Sequence, residues 1–188
     1  GFTKNFTILD NEDAKDLIEL SLRDLRINKK EHRFPKGTVL KEIFSYSINT
    51  IHSLEDGIKE RFPYFFDVVD EIKMVFTRYT EKKRIANSMD FDDLLFYWHK
   101  LLAENEELRR HYAIALPYIL VDEYQDTNKI QAEIVDFMGF INRNVMVVGD
   151  DAQSIYSFRG ANFQNILEFP KKYEEAKKSM NDQIESFF

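Results

Sequence analysis

Apolar residues in the first half of the chain recur at intervals of three and four. Leu17, Leu20 and Leu25 mark one such stretch, and Val39, Ile43, Tyr46 and Ile51 a second. Phe65, Val68, Val69, Ile72, Val75, Phe76 and Tyr79 form a third; Phe91, Leu94, Leu95, Trp98, Leu101 and Leu102 form a fourth. This spacing lines apolar side chains along one face of an α-helix, so residues 1 to about 115 are predicted to be mostly helical, with the aromatic stripes packed as core. Asp90 stands where the N-cap of the fourth helix falls, and Pro35, Gly37 and Pro63 separate the segments.

The period changes near Leu116 and Pro117. "YILV" at 118–121 is a short apolar run, "NKIQAEIVDFMGF" at 128–140 returns to helical spacing with Thr127 or Asn128 as its cap, and "VMVVG" at 145–149 is a second apolar run. Strand, helix, strand predicts a right-handed crossover between parallel strands. Neither run alternates, which predicts helices on both faces of the sheet. Ligands of such sheets sit beyond the carboxyl ends of the strands. Asp122 and Glu123 follow the first run, and Asp150 and Asp151 the second.

Composition narrows the classes. With 188 residues and 44% hydrophobic content, the chain can build one substantial core and a smaller second one. The absence of cysteine removes disulfides and thiolate metal sites and agrees with a reducing cytoplasm. No apolar run approaches the roughly 20 residues needed to span a bilayer, and the N-terminus lacks the layout of a signal peptide, so a cytoplasmic protein is expected. A net charge of -7 argues against a basic domain that coats DNA. Lys82, Lys83, Arg84 and Arg109, Arg110 remain as local contacts or as solvated helix faces. The chain opens at Gly1 without an initiator methionine and closes on Phe187 and Phe188, so a fragment of something longer is expected.

Two carboxylates at a strand's end can hold Mg²⁺ and activate a water for phosphoryl transfer. Acids in that place can also simply stop a strand and favour the N-terminus of the next helix. "VVGDDAQSIYSFRGA" at 147–161 shifts the balance, because it sets Gln153, Tyr156, Phe158 and Arg159 just past the neighbouring strand. A glutamine, two aromatics and an arginine there suit a phosphate sensor joined to a surface on which bases stack. Two other classes stay open. A two-metal nuclease would draw on Asp122, Glu123, Asp126, Asp150 and Asp151, yet His32, His52, His99 and His111 are scattered without ligand spacing. A catalytically inert DNA- or partner-binding module is the other.

"VDEYQDTN" at 121–128 and "VVGDDAQSIYSFRGA" at 147–161 resemble motifs II and III of superfamily 1A DNA helicases, the UvrD/Rep/PcrA group. "NFTILD" (5–10), "MDFDDLL" (89–95) and "NFQNILEF" (162–169) resemble stretches that accompany those motifs. The resemblance implies an α/β fold: a helical 1B-like subdomain at 1–88, then at 89–188 the C-terminal half of RecA-like domain 1A, a partial P-loop NTPase parallel sheet with flanking helices. It implies that Asp122 ligates the Mg²⁺ of ATP, with Glu123 beside it at the metal and activating the attacking water. By the same resemblance Gln153 senses the γ-phosphate, Tyr156 and Phe158 lie along single-stranded DNA, and Arg159 links that surface to the nucleotide. Phe158 stands where the family usually has tryptophan. The implied partners are single-stranded DNA, the single-strand/duplex junction, and the rest of a helicase chain.

A phosphate cradle of the form G-x-x-x-x-G-K-[ST] is missing: none of the six glycines is followed by Lys-Ser or Lys-Thr. In the family that motif lies upstream of 1B, and the second motor domain lies downstream. The tail "KKSMNDQIESFF" at 177–188 also lacks the family's strand and Asn-Tyr-Arg motif. The expectation is half of an ATP site from a 3′ to 5′ helicase, with little or no ATPase activity in this chain alone.

Overall fold

The computed structural model describes residues 1–27, 34–150 and 164–173. It is α/β and mostly helical, with two small parallel sheets, and it divides into compact units at Gly1–Tyr97 and Trp98–Phe188.

In the first unit, α1 (Asn11–Asp24), α2 (Gly37–Thr50), α3 (Leu54–Arg61) and α4 (Val69–Ile85) surround one core. Asp10 and Asp13 form a reciprocal capping box that starts α1 and satisfies backbone donors left over at the helix end. Ala14, Ile18 and Leu22 of α1 meet Leu40, Ile43 and Phe44 of α2 and Ile72, Val75 and Tyr79 of α4. Burial of each large aliphatic contributes about 1.5–3 kcal/mol. The Phe44 ring stacks 6.1 Å from Tyr79 and tilts against Phe76 at 4.9 Å. Leu20, predicted on the core face of α1, is 43% exposed, because the buried row runs through Ile18, Ser21 and Leu22. Ile51 is likewise outside: it ends α2 in the left-handed conformation, and Ser53 caps α3 immediately afterwards. Gly57 lets α3 approach α2, since a Cβ there would stand 2.6 Å from Ser47 Oγ.

The aromatic and aliphatic core also encloses a charge cluster. Lys83, 2% exposed, reaches Asp90 Oδ2 at 2.7 Å and Asp93 Oδ2 at 2.5 Å, and lies 4.3 Å from the Tyr79 ring centre. The Tyr79 hydroxyl donates to Asp90 at 2.6 Å. Asp90 and Asp93 exchange backbone-to-carboxylate bonds of 2.8 and 3.1 Å, so Asp90 caps α5 (Phe91–Glu104) as the sequence predicts. The basic trio is therefore no solvated face. Lys83 is buried, Lys82 pairs with Asp24 at 2.8 Å, and Arg84 alone of the three is exposed. Two short strands unannounced by the pattern, β1 (Thr7–Ile8) and β2 (Ser88–Met89), pair in parallel.

In the second unit, α6 (Glu106–Ala115) precedes β3 (Ile119–Val121), α7 (Lys129–Gly139), β4 (Val145–Val147) and α8 (Gln164–Lys172). β3 and β4 are parallel neighbours in the register Ile119↔Val145, Leu120↔Met146, Val121↔Val147, as the strand-helix-strand reading requires. Asn128 is the cap of α7 and forms a capping box with Gln131. Arg109 is not a free basic contact either: it donates to Leu102 O at 3.1 Å and lies over the Phe137 and Phe140 rings.

The expectation of helices on both sheet faces does not hold among the described residues. Tyr124, Ala132, Val145, Phe169 and Tyr173 form a core on one side, with Ile119, Val121, Val135 and Val147 against it. On the other side Leu120 is 75% and Met146 58% exposed. Side chains alternate across a strand, so a run with no polar residue still places half of itself outward when one face alone is packed.

Candidate functional site

β3 delivers Asp122 and Glu123 to its carboxyl end, where both side chains are exposed. There the backbone makes a sharp change of course. Glu123 adopts the left-handed conformation, φ 51° and ψ 40°, which costs a non-glycine residue roughly 1–2 kcal/mol. The turn is held on both flanks. Val148 N–H donates to Val121 O at 2.8 Å, Tyr124 N–H donates to Val148 O at 2.9 Å, and a 3₁₀ turn at Tyr124–Asp126 follows. Tyr124 is 1% exposed and meets Phe169 edge to face at 5.5 Å. Burial, followed by the nearby charge of Asp136, pushes its phenol up to about 12, so it serves as packing.

Asp122 turns one oxygen back onto the backbone, accepting from Glu123 N–H at 2.9 Å. The Glu123 carboxylate accepts from Gln125 Nε2 at 2.6 Å, and the carbonyl of the same amide accepts from Asp150 N–H at 3.0 Å. Gln125 is 1% exposed. Thus Glu123 and Asp150, which the sequence sets at two strand ends, are joined through a buried amide that the sequence does not single out, with Asp122 next to Glu123 at the end of β3. Its only signal was its place between three acids, where a neutral residue that both donates and accepts can join what the acids alone cannot.

Asp126 lies in the 3₁₀ turn, half-buried, and its Oδ1 is buried without a hydrogen-bond partner. Asp151, Gln153, Tyr156, Phe158 and Arg159 lie outside the described residues, as does the 177–188 tail. Among the described residues no group of three or more His, Asp or Glu side chains is placed to hold a metal. A magnesium ion carried with a nucleotide asks for less: one or two carboxylates, with phosphate and water completing its oxygen shell. Asp122 and Glu123, exposed carboxylates at the end of a parallel strand, fit that donor set.

The family pattern described as "UvrD/REP helicase N-terminal domain" matches residues 1–174. The chain belongs to this UvrD/REP helicase family. Relatives within it include proteins named ATP-dependent DNA helicase PcrA. That of Staphylococcus aureus (strain Mu50 / ATCC 700699) is 37% identical over 178 residues, covering 94% of this chain and 23% of the relative. That of Leuconostoc citreum is 36% identical over 183 residues, 97% of this chain and 24% of the relative. The chain thus spans about a quarter of the length of the curated relatives it matches. The first unit, Gly1–Tyr97, and the described residues of the second lie within the matched region. No helix among the described residues is long and apolar enough to cross a membrane.

Proposed function

We propose that this chain is part of an ATP-dependent DNA helicase and contributes the metal-binding and water-activating half of the ATP site. The observation that carries the reading is the meeting of Asp122, Glu123 and Asp150 at the carboxyl ends of two parallel strands, in a chain of the UvrD/REP family. Residues 1–88 are the helical 1B-like subdomain and 89–188 the returning half of the RecA-like domain 1A. Pairing of Thr7–Ile8 with Ser88–Met89, which closes the helical segment on itself, supports that division.

In this reading the Asp122 carboxylate would hold Mg²⁺, with Glu123 beside it at the metal. The bound ion, when present, neutralises charge on the phosphate oxygens. Glu123, exposed at the end of β3, orients the attacking water and takes its proton. Gln153 reports the γ-phosphate, Tyr156 and Phe158 stack on single-stranded DNA near a duplex junction, and Arg159 joins the two sites. Base stacking on such aromatics contributes roughly 1–3 kcal/mol per base without regard to sequence. The complete protein works in the cytoplasm, and this chain, having no G-x-x-x-x-G-K-[ST] cradle, turns over little or no ATP alone.

Glu123→Gln in the full-length protein tests the proposal. Loss of a general base lowers turnover by about 10²- to 10⁴-fold, with binding of a fluorescent ATP analogue retained. Hydrolysis at wild-type rate in that variant refutes the role of Glu123. Mg²⁺-dependent ATP turnover by the purified 188-residue chain would overturn its proposed inactivity.

A further inference from the structure

Gln125 is placed as a tether rather than as filler. It is 1% exposed, yet its side chain ends on the exposed carboxylate of Glu123 and on the backbone of Asp150, where β4 has run out. A carboxylate can only accept and a backbone N–H can only donate, so the amide's orientation is set by its two partners. No other natural side chain of that length offers both a donor and an acceptor without charge. The donor goes to one oxygen of Glu123, Oε2. Gln125 stands in the 3₁₀ turn that follows Glu123, whose backbone is left-handed and whose side chain is exposed. Asp122 is engaged elsewhere, with the backbone N–H of Glu123.

We infer that Gln125 is a positioning residue: its amide fixes the Glu123 carboxylate for water activation and ties that carboxylate to the segment leaving β4. The inference rests on the reading of Glu123 given above. It separates two tasks within the acidic run, since Glu123 handles the proton and Gln125 determines where the proton acceptor stands. A one-ångström misplacement of such a group costs on the order of 10²-fold in rate.

The test uses Gln125→Glu, Gln125→Met and Gln125→Asn in the full-length protein with Mg-ATP and single-stranded DNA, beside Glu123→Gln. Met keeps the volume and loses both bonds. Asn keeps the amide but is one methylene too short to span both partners. Each is expected to lower kcat by about 10- to 100-fold with binding of a fluorescent ATP analogue changed less than about threefold. Glu at 125 also sets a like charge against Glu123 and, when ionised, cannot donate to it. A purely structural amide would not move the split between binding and turnover.

A readout free of activity comes from the ¹⁵N-labelled 188-residue chain: the Gln125 side-chain N–H signals shift in Glu123→Ala, which removes the carboxylate they donate to. An inactive Glu123→Gln together with wild-type kcat in Gln125→Met and Gln125→Asn overturns the positioning role, as do Gln125 side-chain signals left unmoved by Glu123→Ala. If Glu123→Gln hydrolyses ATP normally, the parent reading fails first and is told apart by that result.

Discussion

Replacing Lys83 by methionine removes one positive charge from the interior of the first unit while keeping most of the aliphatic stem. In the native chain that charge stands 2.7 Å from Asp90 and 2.5 Å from Asp93. Without it, Asp90 keeps the Tyr79 hydroxyl and the Asp93 backbone N–H, and Asp93 keeps the Asp90 backbone N–H. Two buried carboxylates then face each other with no cation between them. Removing one partner of a buried pair costs about 3–5 kcal/mol, a large share of the 5–15 kcal/mol that stabilises a typical domain.

The loss depends on pH in a defined direction. In the native protein burial raises Asp90, but the Lys83 charge, the Lys83 bond and the Tyr79 bond outweigh it and leave it below its ordinary 3.8, whereas burial and the Asp90 charge leave Asp93 above that value. In the variant one carboxylate of the pair is raised well above the unfolded value, so the deficit is complete above that raised pKa and is relieved as pH falls through it. Each unit of such a shift returns about 1.4 kcal/mol. Urea unfolding of the 188-residue chain, followed by circular dichroism at pH 8 and pH 5, measures the effect, and amide exchange in α4 locates it, since two compact units need not unfold together. Adding Asp90→Asn, which can still cap α5, is expected to recover most of the loss. A deficit below about 1 kcal/mol at pH 8, unchanged at pH 5, would refute the reasoning.

Other substitutions test separate parts of the fold. Asp92, raised above 3.8 first by burial, accepts from Asn49 and Ser45 through one oxygen. Asp92→Asn keeps that acceptor and is expected to be the more stable chain at pH 7, with the advantage disappearing below pH 3.8, as thermal unfolding across pH will show. Asn128→Ala removes the cap of α7 and should cost about 1 kcal/mol in urea titrations. Gly139→Ala drives a methyl to 2.5 Å from Val145 Cγ2, and overpacking of this kind costs about 1–3 kcal/mol, read from the same titration. Leu120→Lys with Met146→Glu should leave the stability of the 188-residue chain within about 0.5 kcal/mol, because both side chains stand in water and the opposed pair is complementary in charge.

What the sequence disclosed follows the range of the forces involved. Asp90 was legible as a cap, and Asn128 as one of two candidates beside Thr127, because a cap acts within three residues. The pairing of β3 with β4 was legible because a strand-helix-strand unit has one common solution. Lys83 was misread because its carboxylates come seven and ten residues later, beyond the helix on which it sits, and nothing local separates a buried lysine from a solvated one. The β1–β2 pair joins residues more than eighty positions apart and leaves no periodic trace. Leu120 and Met146 were expected under a second helical layer, because an unbroken apolar run does not say which of its two faces this stretch of chain covers. At the site, the acids were visible by charge and spacing, whereas Gln125 became visible only once β4 brought Asp150 beside it.

The closure of the first unit has a consequence for how such a chain can be assembled over evolutionary time. Thr7 N–H and Leu9 N–H bind the carbonyls of Asn87 and Met89 at 3.0 and 2.8 Å, and the Asn87 side chain reaches back to Thr3 and Asn5. Entry and exit of the helical segment are therefore one strand spacing apart, about 5 Å. In the proposed division, in which this segment is an insertion, a host fold receiving it would see a gap no wider than an ordinary loop, whatever happens among the four helices between. The helices would then be free to lengthen, shorten or exchange surface residues while the host's framework stays in register, so that the two parts could diverge at different rates within one gene.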